Sequence, residues 1–215
     1  MKEAPKCILF DCDGVLVDSE PITARVLVEM SQAIGIDIDV DFVEQRFLGN
    51  SWAGCAAILE EEGGKKLPDN FEQEYRHLSS EAFKKEIQPI RGIPELIDRL
   101  TIPFAVASSG PTAKIRLNLG LIGLLDRFEE NIFSCWDLQK WKPDPAIYLH
   151  AAEVMGFAPK DCMVVEDSIF GVKAGLAGGF RTVGYASPHT EEALQELGAE
   201  VIYEMETLHE MVPVR

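Results

Sequence analysis

Cys7-Ile8-Leu9-Phe10 is an unbroken apolar run that ends on two carboxylates, Asp11 and Asp13, with Gly14 directly behind them. No other stretch restricts the fold as much. A short run that is apolar at every position is buried on both faces, as a strand inside a parallel sheet is. Open sheets of that kind bind ligands at the carboxyl ends of their strands, where Asp11 and Asp13 fall. Neighbouring carboxylates repel, so a buried strand leading into Asp-x-Asp needs a counter-charge. Hard oxygen ligands on a tight turn suit Mg²⁺, which accepts one or two carboxylates plus substrate phosphate. Asp-Gly is also ordinary turn chemistry, and the hexapeptide alone leaves a plain polar turn open.

The rest of the chain decides how such a strand is used. After Asp18-Ser19-Glu20-Pro21, with Ser19 as an N-cap and Pro21 in a first turn, Ile22, Val26, Met30, Ala33 and Ile34 recur at helical spacing up to Gly35. Helical patterns follow over 41–48, 52–62 and 69–87, interrupted at Leu48-Gly49-Asn50-Ser51, so residues 18–89 read as a helical insertion. From Pro89 the pattern changes. A helix through Leu96, Ile97 and Leu100 leads to a strand over 102–107. Further strands are expected at 131–133, 162–165, 182–185 and 201–203, with helices over 115–119, 145–155 and 168–177 between them. Strand–helix alternation means a parallel sheet with helices on both faces. The predicted organisation is therefore a core of residues 1–17 and 90–215 with residues 18–89 inserted as a separate helical domain.

With 215 residues, 47% of them hydrophobic, the chain has ample apolar surface for such a core. A net charge of −16 repels nucleic acid and anionic membranes. Five cysteines without a CxxC pair suit buried free thiols in a reducing compartment. No signal peptide and no apolar run of membrane-spanning length is evident, so a cytoplasmic monomer is expected.

Three more strand ends carry chemically loaded residues. Ser108-Ser109-Gly110-Pro111 places hydroxyls and backbone N–H groups before a helix, as an anion site or an ordinary cap. In Trp141-Lys142-Pro143-Asp144-Pro145, two prolines fix the backbone after a lysine at a helix start. The helix dipole disfavours a cation there, so an anionic partner would explain it. Val164-Val165-Glu166-Asp167-Ser168 ends a strand on two acids that point opposite ways, one able to ligate a metal and the other to hold a metal-bound water. Ser168 is a candidate cap for the next helix, and acid pairs in this place are often only capping residues.

Together and in this order, DxDG, Ser, Lys-Pro and Glu-Asp resemble the haloacid dehalogenase-like hydrolase superfamily. Within it the chain is most similar to the β-phosphoglucomutase-like branch, and there to sugar-phosphate phosphatases such as the 6-phosphogluconate phosphatases. The resemblance spans nearly the whole chain. It implies a Rossmann-like α/β core with a mobile four-helix cap inserted after the first strand. It implies Mg²⁺-dependent hydrolysis of a small phosphorylated metabolite through an aspartyl-phosphate. By the same resemblance, Asp11 is the nucleophile and Asp13 the general acid/base. Ser108 and the Ser109 amide bind the transferring phosphoryl group, and Lys142 is the motif-three lysine. Asp11, Asp167 and the Asp13 carbonyl are Mg²⁺ ligands, and Glu166 organises the metal's waters. A proton-donating Asp13 needs a raised pKa, which a dry site beside another carboxylate is expected to provide.

In the insertion, Asn50, Ser51 and Trp52 form a candidate substrate-facing loop, although Trp52 is equally suited to helix packing. Cys12 reads as a small side chain under the loop, and the four histidines show no metal spacing. Arg46 and Arg91 read as surface cations. The mutase branch carries a cap histidine, a cap arginine and a second serine where this chain has Thr23, Trp52 and Gly110. These departures favour a hydrolase over a phosphomutase. Asp13 argues against dehalogenation. A catalytically quiet module that binds a phosphorylated ligand is the alternative of a different class.

Overall fold

The computed structural model describes residues 3–47 and 52–215. Strand β1 (Cys7–Phe10) is followed by a helical insert of α1 (Glu20–Ala33), α2 (Val40–Phe47), α3 (Trp52–Gly63) and α4 (Phe71–Glu86). Then come α5 (Ile93–Arg99), β2 (Phe104–Ser108), α6 (Thr112–Leu121), α7 (Leu125–Phe128), β3 (Ile132–Ser134) and α8 (Cys135–Leu138). The chain ends with α9 (Ala146–Met155), β4 (Cys162–Glu166), α10 (Ile169–Ala177), β5 (Arg181–Tyr185), α11 (Glu191–Glu196) and β6 (Glu200–Ile202), before a 3-10 turn at Met205–Glu210. The strands form one parallel sheet in the order β3-β2-β1-β4-β5-β6. This is the doubly wound α/β order, in which the sequence reverses direction next to β1. Among the described residues no helix is long and apolar enough to cross a membrane.

Period-two burial divides the strands between two cores. Ile8, Phe10, Val106, Met163 and Val165 face one cluster with Leu96, Ile97, Ile115, Leu119 and Phe128. Cys7, Leu9, Ala105, Ala107, Cys162 and Val164 face the other, against Ile147, Tyr148, Ala151 and Ala152 of α9. Full burial of each of Ile8, Leu9 and Phe10 stabilises the fold by about 1.5–3 kcal/mol. A third cluster, including Leu27, Ile36, Val43, Phe47, Leu59 and Phe71, gives the insert its own core.

The predicted elements are present with small shifts. β2 begins at Phe104 rather than Ile102, because Pro103 has no N–H for the ladder and contributes only its carbonyl, which accepts from Ile8 N–H at 3.1 Å. Ser19 occupies the N-cap position of α1, yet its side chain makes no capping bond, and Gly35 follows the helix with φ +76°. The loop 48–51 lies outside the described residues. The two chains that connect insert and sheet run side by side. Val17 bridges Pro89, Asp18 N–H donates to the Gln88 carbonyl at 2.9 Å, and Ile90 N–H donates to the Leu16 carbonyl at 3.1 Å.

Candidate active site

β1 and β4 are neighbours, so the residues that follow them are neighbours too. Phe10 pairs with Val165, and Asp11 N–H donates to the Val165 carbonyl at 3.0 Å. This register sets Asp11 beside Glu166. Lys142, from the connection between α8 and α9, enters between them ahead of a cis peptide to Pro143. Its Nζ donates to Asp11 Oδ1 at 2.6 Å and to Glu166 Oε1 at 2.5 Å, with only 3% of the lysine side chain exposed. The anionic partner that the sequence required for Lys142 is thus the protein's own pair of acids. Burial works against the lysine's charge, but Asp11 and Glu166 outweigh it and hold the pKa well above the usual lysine value. Burial pushes Asp11 up to about 7 against the pull of Lys142, and Glu166 adds to the rise.

Glu166 is anchored by four protein donors. Besides Lys142 these are the Tyr148 hydroxyl, at 3.0 Å from Oε1, and the Ser168 N–H and hydroxyl, each 2.9 Å from Oε2. Ser168 Oγ in turn accepts from Gly171 N–H at 3.0 Å, which caps α10 as its position predicted. A Cβ at Gly171 would lie 1.8 Å from Glu166 Oε1, so no side chain fits there.

Asp13 has a separate set of partners. Lys114 Nζ, from α6, donates to Oδ2 at 2.8 Å, and Ser19 Oγ donates to Oδ1 at 2.6 Å. Asn118 Nδ2 is 3.5 Å from Oδ1. Burial disfavours the Asp13 charge, but the charge and hydrogen bond of Lys114, with the Ser19 bond, more than compensate and hold its pKa below the usual carboxylate value. The sequence reading is corrected here: the raised carboxylate is Asp11, and Asp13 is lowered. The lysine that reverses the expected shift stands 101 residues away in the chain.

Ser108 ends β2, on the other side of β1. Its Oγ accepts from Gly110 N–H at 3.1 Å, and the Gly110 carbonyl accepts from Ser134 Oγ at 2.7 Å. These bonds tie the ends of β2 and β3 together and fix Ser108 and Ser109 in the wall of the cleft that holds Asp11 and Asp13.

Asp11, Asp13, Glu20, Glu166 and Asp167 all line this cleft. Lys142 answers Asp11 and Glu166, and Lys114 answers Asp13. Among the described residues no ion pair joins Glu20 or Asp167 to a lysine or arginine. Burial raises Glu20 to about 8 and Asp167 well above its usual value, and the neighbouring acids reinforce both shifts. Asp167 packs against the turn at Gly14, where a Cβ would lie 2.1 Å from Oδ2 and φ is +73°, so both space and conformation require glycine. The excess negative charge fits a divalent cation. Among the described residues no three His, Cys, Asp or Glu side chains form a metal cage by themselves. Asp11 and Asp167, the carboxylates that the resemblance assigns to such an ion together with the Asp13 carbonyl, both line this cleft and could hold one, with Glu166 lining it as well.

The insert covers these strand ends and leaves a cleft of about 630 Å³. Trp52, at the start of α3, lines it while stacking on Tyr75 at 5.2 Å and on Phe71 at 6.3 Å, so it serves both the wall and the packing of the insert. Asn50 and Ser51 lie outside the described residues. Thr23 also lines the cleft, and its hydroxyl donates to the Glu20 carbonyl at 3.0 Å. Arg46 lies over the Phe42 ring, and Arg91 pairs with Glu206 on the surface. Cys12 is fully buried beneath the loop.

Residues 5–179 match the protein family described as haloacid dehalogenase-like hydrolase. The chain belongs to this family. It is 36% identical over 188 residues to a 6-phosphogluconate phosphatase of Escherichia coli K12, covering 86% of this chain and 85% of that one. The crystal structure of a haloacid dehalogenase-like protein of unknown function from Agrobacterium tumefaciens superposes with a TM-score of 0.87 at 32% identity, covering 96% and 97% of the two chains. A Thermotoga maritima structure provisionally named a β-phosphoglucomutase gives 0.78 at 26% identity, covering 96% and 100%.

The haloacid dehalogenase-like motifs led to Asp11, Asp13, Ser108, Lys142, Glu166 and Asp167, which the fold gathers in one cleft. They did not lead to Lys114, Ser19, Glu20 or Tyr148. For Lys114 a signal existed: it is a cation in the first turn of α6, where the helix dipole disfavours it. The same argument had singled out Lys142.

Proposed function

We propose that the chain is a phosphoric monoester hydrolase that releases phosphate from small phosphorylated metabolites, sugar or sugar-acid phosphates foremost, through an aspartyl-phosphate on Asp11. The observation that carries this reading is the unequal treatment of two carboxylates on one loop, one locked by Lys142 and the other by Lys114 and Ser19. A nucleophile and an acid/base need such separate environments. The 6-phosphogluconate phosphatase name of one relative supports the substrate class.

Lys142 fixes the Asp11 carboxylate, aims one oxygen and offsets charge on the phosphoryl oxygens. Attack of Asp11 on phosphorus forms the acyl phosphate and expels the alkoxide, which takes its proton from Asp13. Asp13 acquires that proton when the phosphoryl dianion arrives, because a nearby like charge raises a carboxylate's proton affinity. The ionised Asp13 left behind then draws a proton from the water that cleaves the acyl phosphate. Ser108 Oγ, which accepts from Gly110 N–H, still has its own proton to donate to the phosphoryl group. Mg²⁺ held by Asp11, Asp167 and the Asp13 carbonyl would supply further positive charge to the same oxygens.

The test is phosphate release from a panel of sugar phosphates, sugar-acid phosphates and nucleotides, with Mg²⁺ or with chelator, for the native chain and Asp11→Asn. Turnover should need both Mg²⁺ and Asp11. Normal turnover in chelator or by Asp11→Asn would overturn the assignment. Conversion of hexose 1-phosphate to 6-phosphate faster than phosphate release would make the enzyme a mutase. No turnover of any ester would leave the quiet binding module.

A further inference from the structure

Three acids of the insert line the cleft: Glu20, Glu44 and Glu72. Glu44 pairs with His189 at 3.3 Å, and Glu72 pairs with Arg76 at 2.6 Å. Among the described residues Glu20 has no such partner, and the chemistry above gives it no role. It is the first residue of α1, where the helix dipole favours an acid. The dipole does not explain where the side chain lies. Ser19 beside it bonds Asp13 at 2.6 Å, and Thr23 bonds the Glu20 carbonyl at 3.0 Å, but no described N–H or hydroxyl donates to the Glu20 carboxylate. The side chain turns toward the sheet instead. It comes within hydrogen-bonding range of Asp167, and the charges of Asp13, Asp11 and Glu166 also reach it.

Asp167 is in the same situation. It is only 8% exposed, Gly14 packs against its carboxyl, and no described N–H or hydroxyl donates to it. Native structures satisfy their buried polar groups, so a carboxylate this deep without a donor faces a partner from outside the chain. Two acids within reach of each other, with no donor or cation between them, need a proton or a positive ion.

We propose that Glu20 is a further residue of the cation site, where it accepts a hydrogen bond from water in the cation's shell, an inference that rests on the cation of the phosphatase reading. Among the described residues no three acids cage an ion by themselves. Mg²⁺ takes one or two carboxylates and keeps several waters, so a third carboxylate acts through water. Asp11 and Asp167 follow strands of the sheet, whereas Glu20 opens the insert. The ion thus joins the first turn of α1 to the ends of β1 and β4. The insert takes part in holding the cation as well as in walling the cleft.

The experiment is titration calorimetry with magnesium chloride at pH 8, on the native chain, Glu20→Gln, Glu20→Asp and Glu44→Gln. Glu20→Gln should weaken Mg²⁺ binding about tenfold or more, the usual loss when a partner outside the ligand shell is removed. Glu20→Asp keeps the charge on a shorter arm and should recover part of the loss. Glu44→Gln removes the same charge from the insert's wall and should leave the affinity within about twofold of native, since an exposed charge acts weakly at a distance. Melts in chelator carry the opposite sign. The glutamine amide can donate to Asp167, so Glu20→Gln should melt above native, whereas loss of a purely structural side chain lowers Tm. Hydrogen exchange in the first turns of α1 should slow when Mg²⁺ is added to the native chain and stay unchanged in Glu20→Gln. Native Mg²⁺ affinity in Glu20→Gln, an equal loss in Glu44→Gln, or a lower melt in chelator would overturn the proposal. If Glu20→Gln does not fold, Glu20→Asp decides, and native affinity there overturns it. If the native chain binds no Mg²⁺, the cation site itself fails and takes this role of Glu20 with it.

Discussion

Replacing Lys142 by Met keeps the length of the side chain and removes its charge, which isolates what the ammonium contributes. In the native protein Nζ makes two charged hydrogen bonds, at 2.6 and 2.5 Å, among side chains that are 3%, 10% and 1% exposed. Hydrogen bonds to charged groups contribute about 1.5–3 kcal/mol each. Removing one partner of a buried ion pair costs about 3–5 kcal/mol, because the other charge is stranded. The two estimates agree on roughly 3–5 kcal/mol at neutral pH. For a chain of this size each kcal/mol shifts Tm by about 2–4 °C, so the variant should melt roughly 6–20 °C lower. The loss must also depend on pH. Without Lys142 the stranded Asp11, already raised by burial, binds its proton more tightly folded than unfolded, so stability falls as pH rises. The deficit should therefore be smaller at pH 5 than at pH 8. Adding Glu166→Gln removes one stranded charge and leaves the Tyr148 and Ser168 donors in place. The double variant should be more stable than the sum of the two single losses by about 1–3 kcal/mol. Thermal and urea melts in chelator at both pH values measure all of this. A Lys142→Met melt within 2 °C of native at pH 8, or strict additivity of the pair, would refute the reasoning.

Three further outcomes are expected. In chelator, native Tm should fall as pH rises from about 4 to 8, because Asp11 at about 7 and Glu20 at about 8 are raised above their unfolded values. Mg²⁺ should flatten that fall, and parallel curves with and without Mg²⁺ would argue against the cation site. Asp13→Asn should slow the first chemical step far more for sugar phosphates than for nitrophenyl phosphate, whose leaving group needs little protonation. Single-turnover kinetics with equal losses would remove the acid role. Trp52→Ala should cost about 2 kcal/mol from its lost stacking on Tyr75 and Phe71, measured by urea melts. It should also raise KM for the preferred metabolite, and an unchanged substrate ranking would leave Trp52 as packing alone.

The strand ends were legible because their signals are local. An apolar run and the polar residues after it lie within six positions, and parallel pairing then aligns Asp11 with Glu166 without further information. The short helices α7, α8 and α11 were not legible, since four to six residues carry no helical period. The partners of Asp13 were hidden for a different reason. Ser19 reads as a helix cap, and only the folded loop shows that its hydroxyl turns back to Asp13 at 2.6 Å. Lys114 is one lysine among many, and its effect on Asp13 depends on where α6 lies. The expected direction of the Asp13 shift failed because burial was weighed without the cation that accompanies it.

The paired chains at Val17 and Pro89 bring both ends of the insert to one point beside the sheet. Ile22, Val26, Ala82, Phe83 and Ile87 of the insert share a hydrophobic cluster with Ile8 and Phe10 of β1, so the insert is docked on the sheet as well as tethered to it. Asp13 sits at that seam and is held from both sides, by the Ser19 hydroxyl two residues beyond Val17 and by the Lys114 ammonium of the sheet's own helix. Both bonds favour the charged carboxylate, so the proton affinity of Asp13 reads out how closely the seam is held: loss of the Ser19 bond would raise it and leave Lys114 as the one opposing partner described.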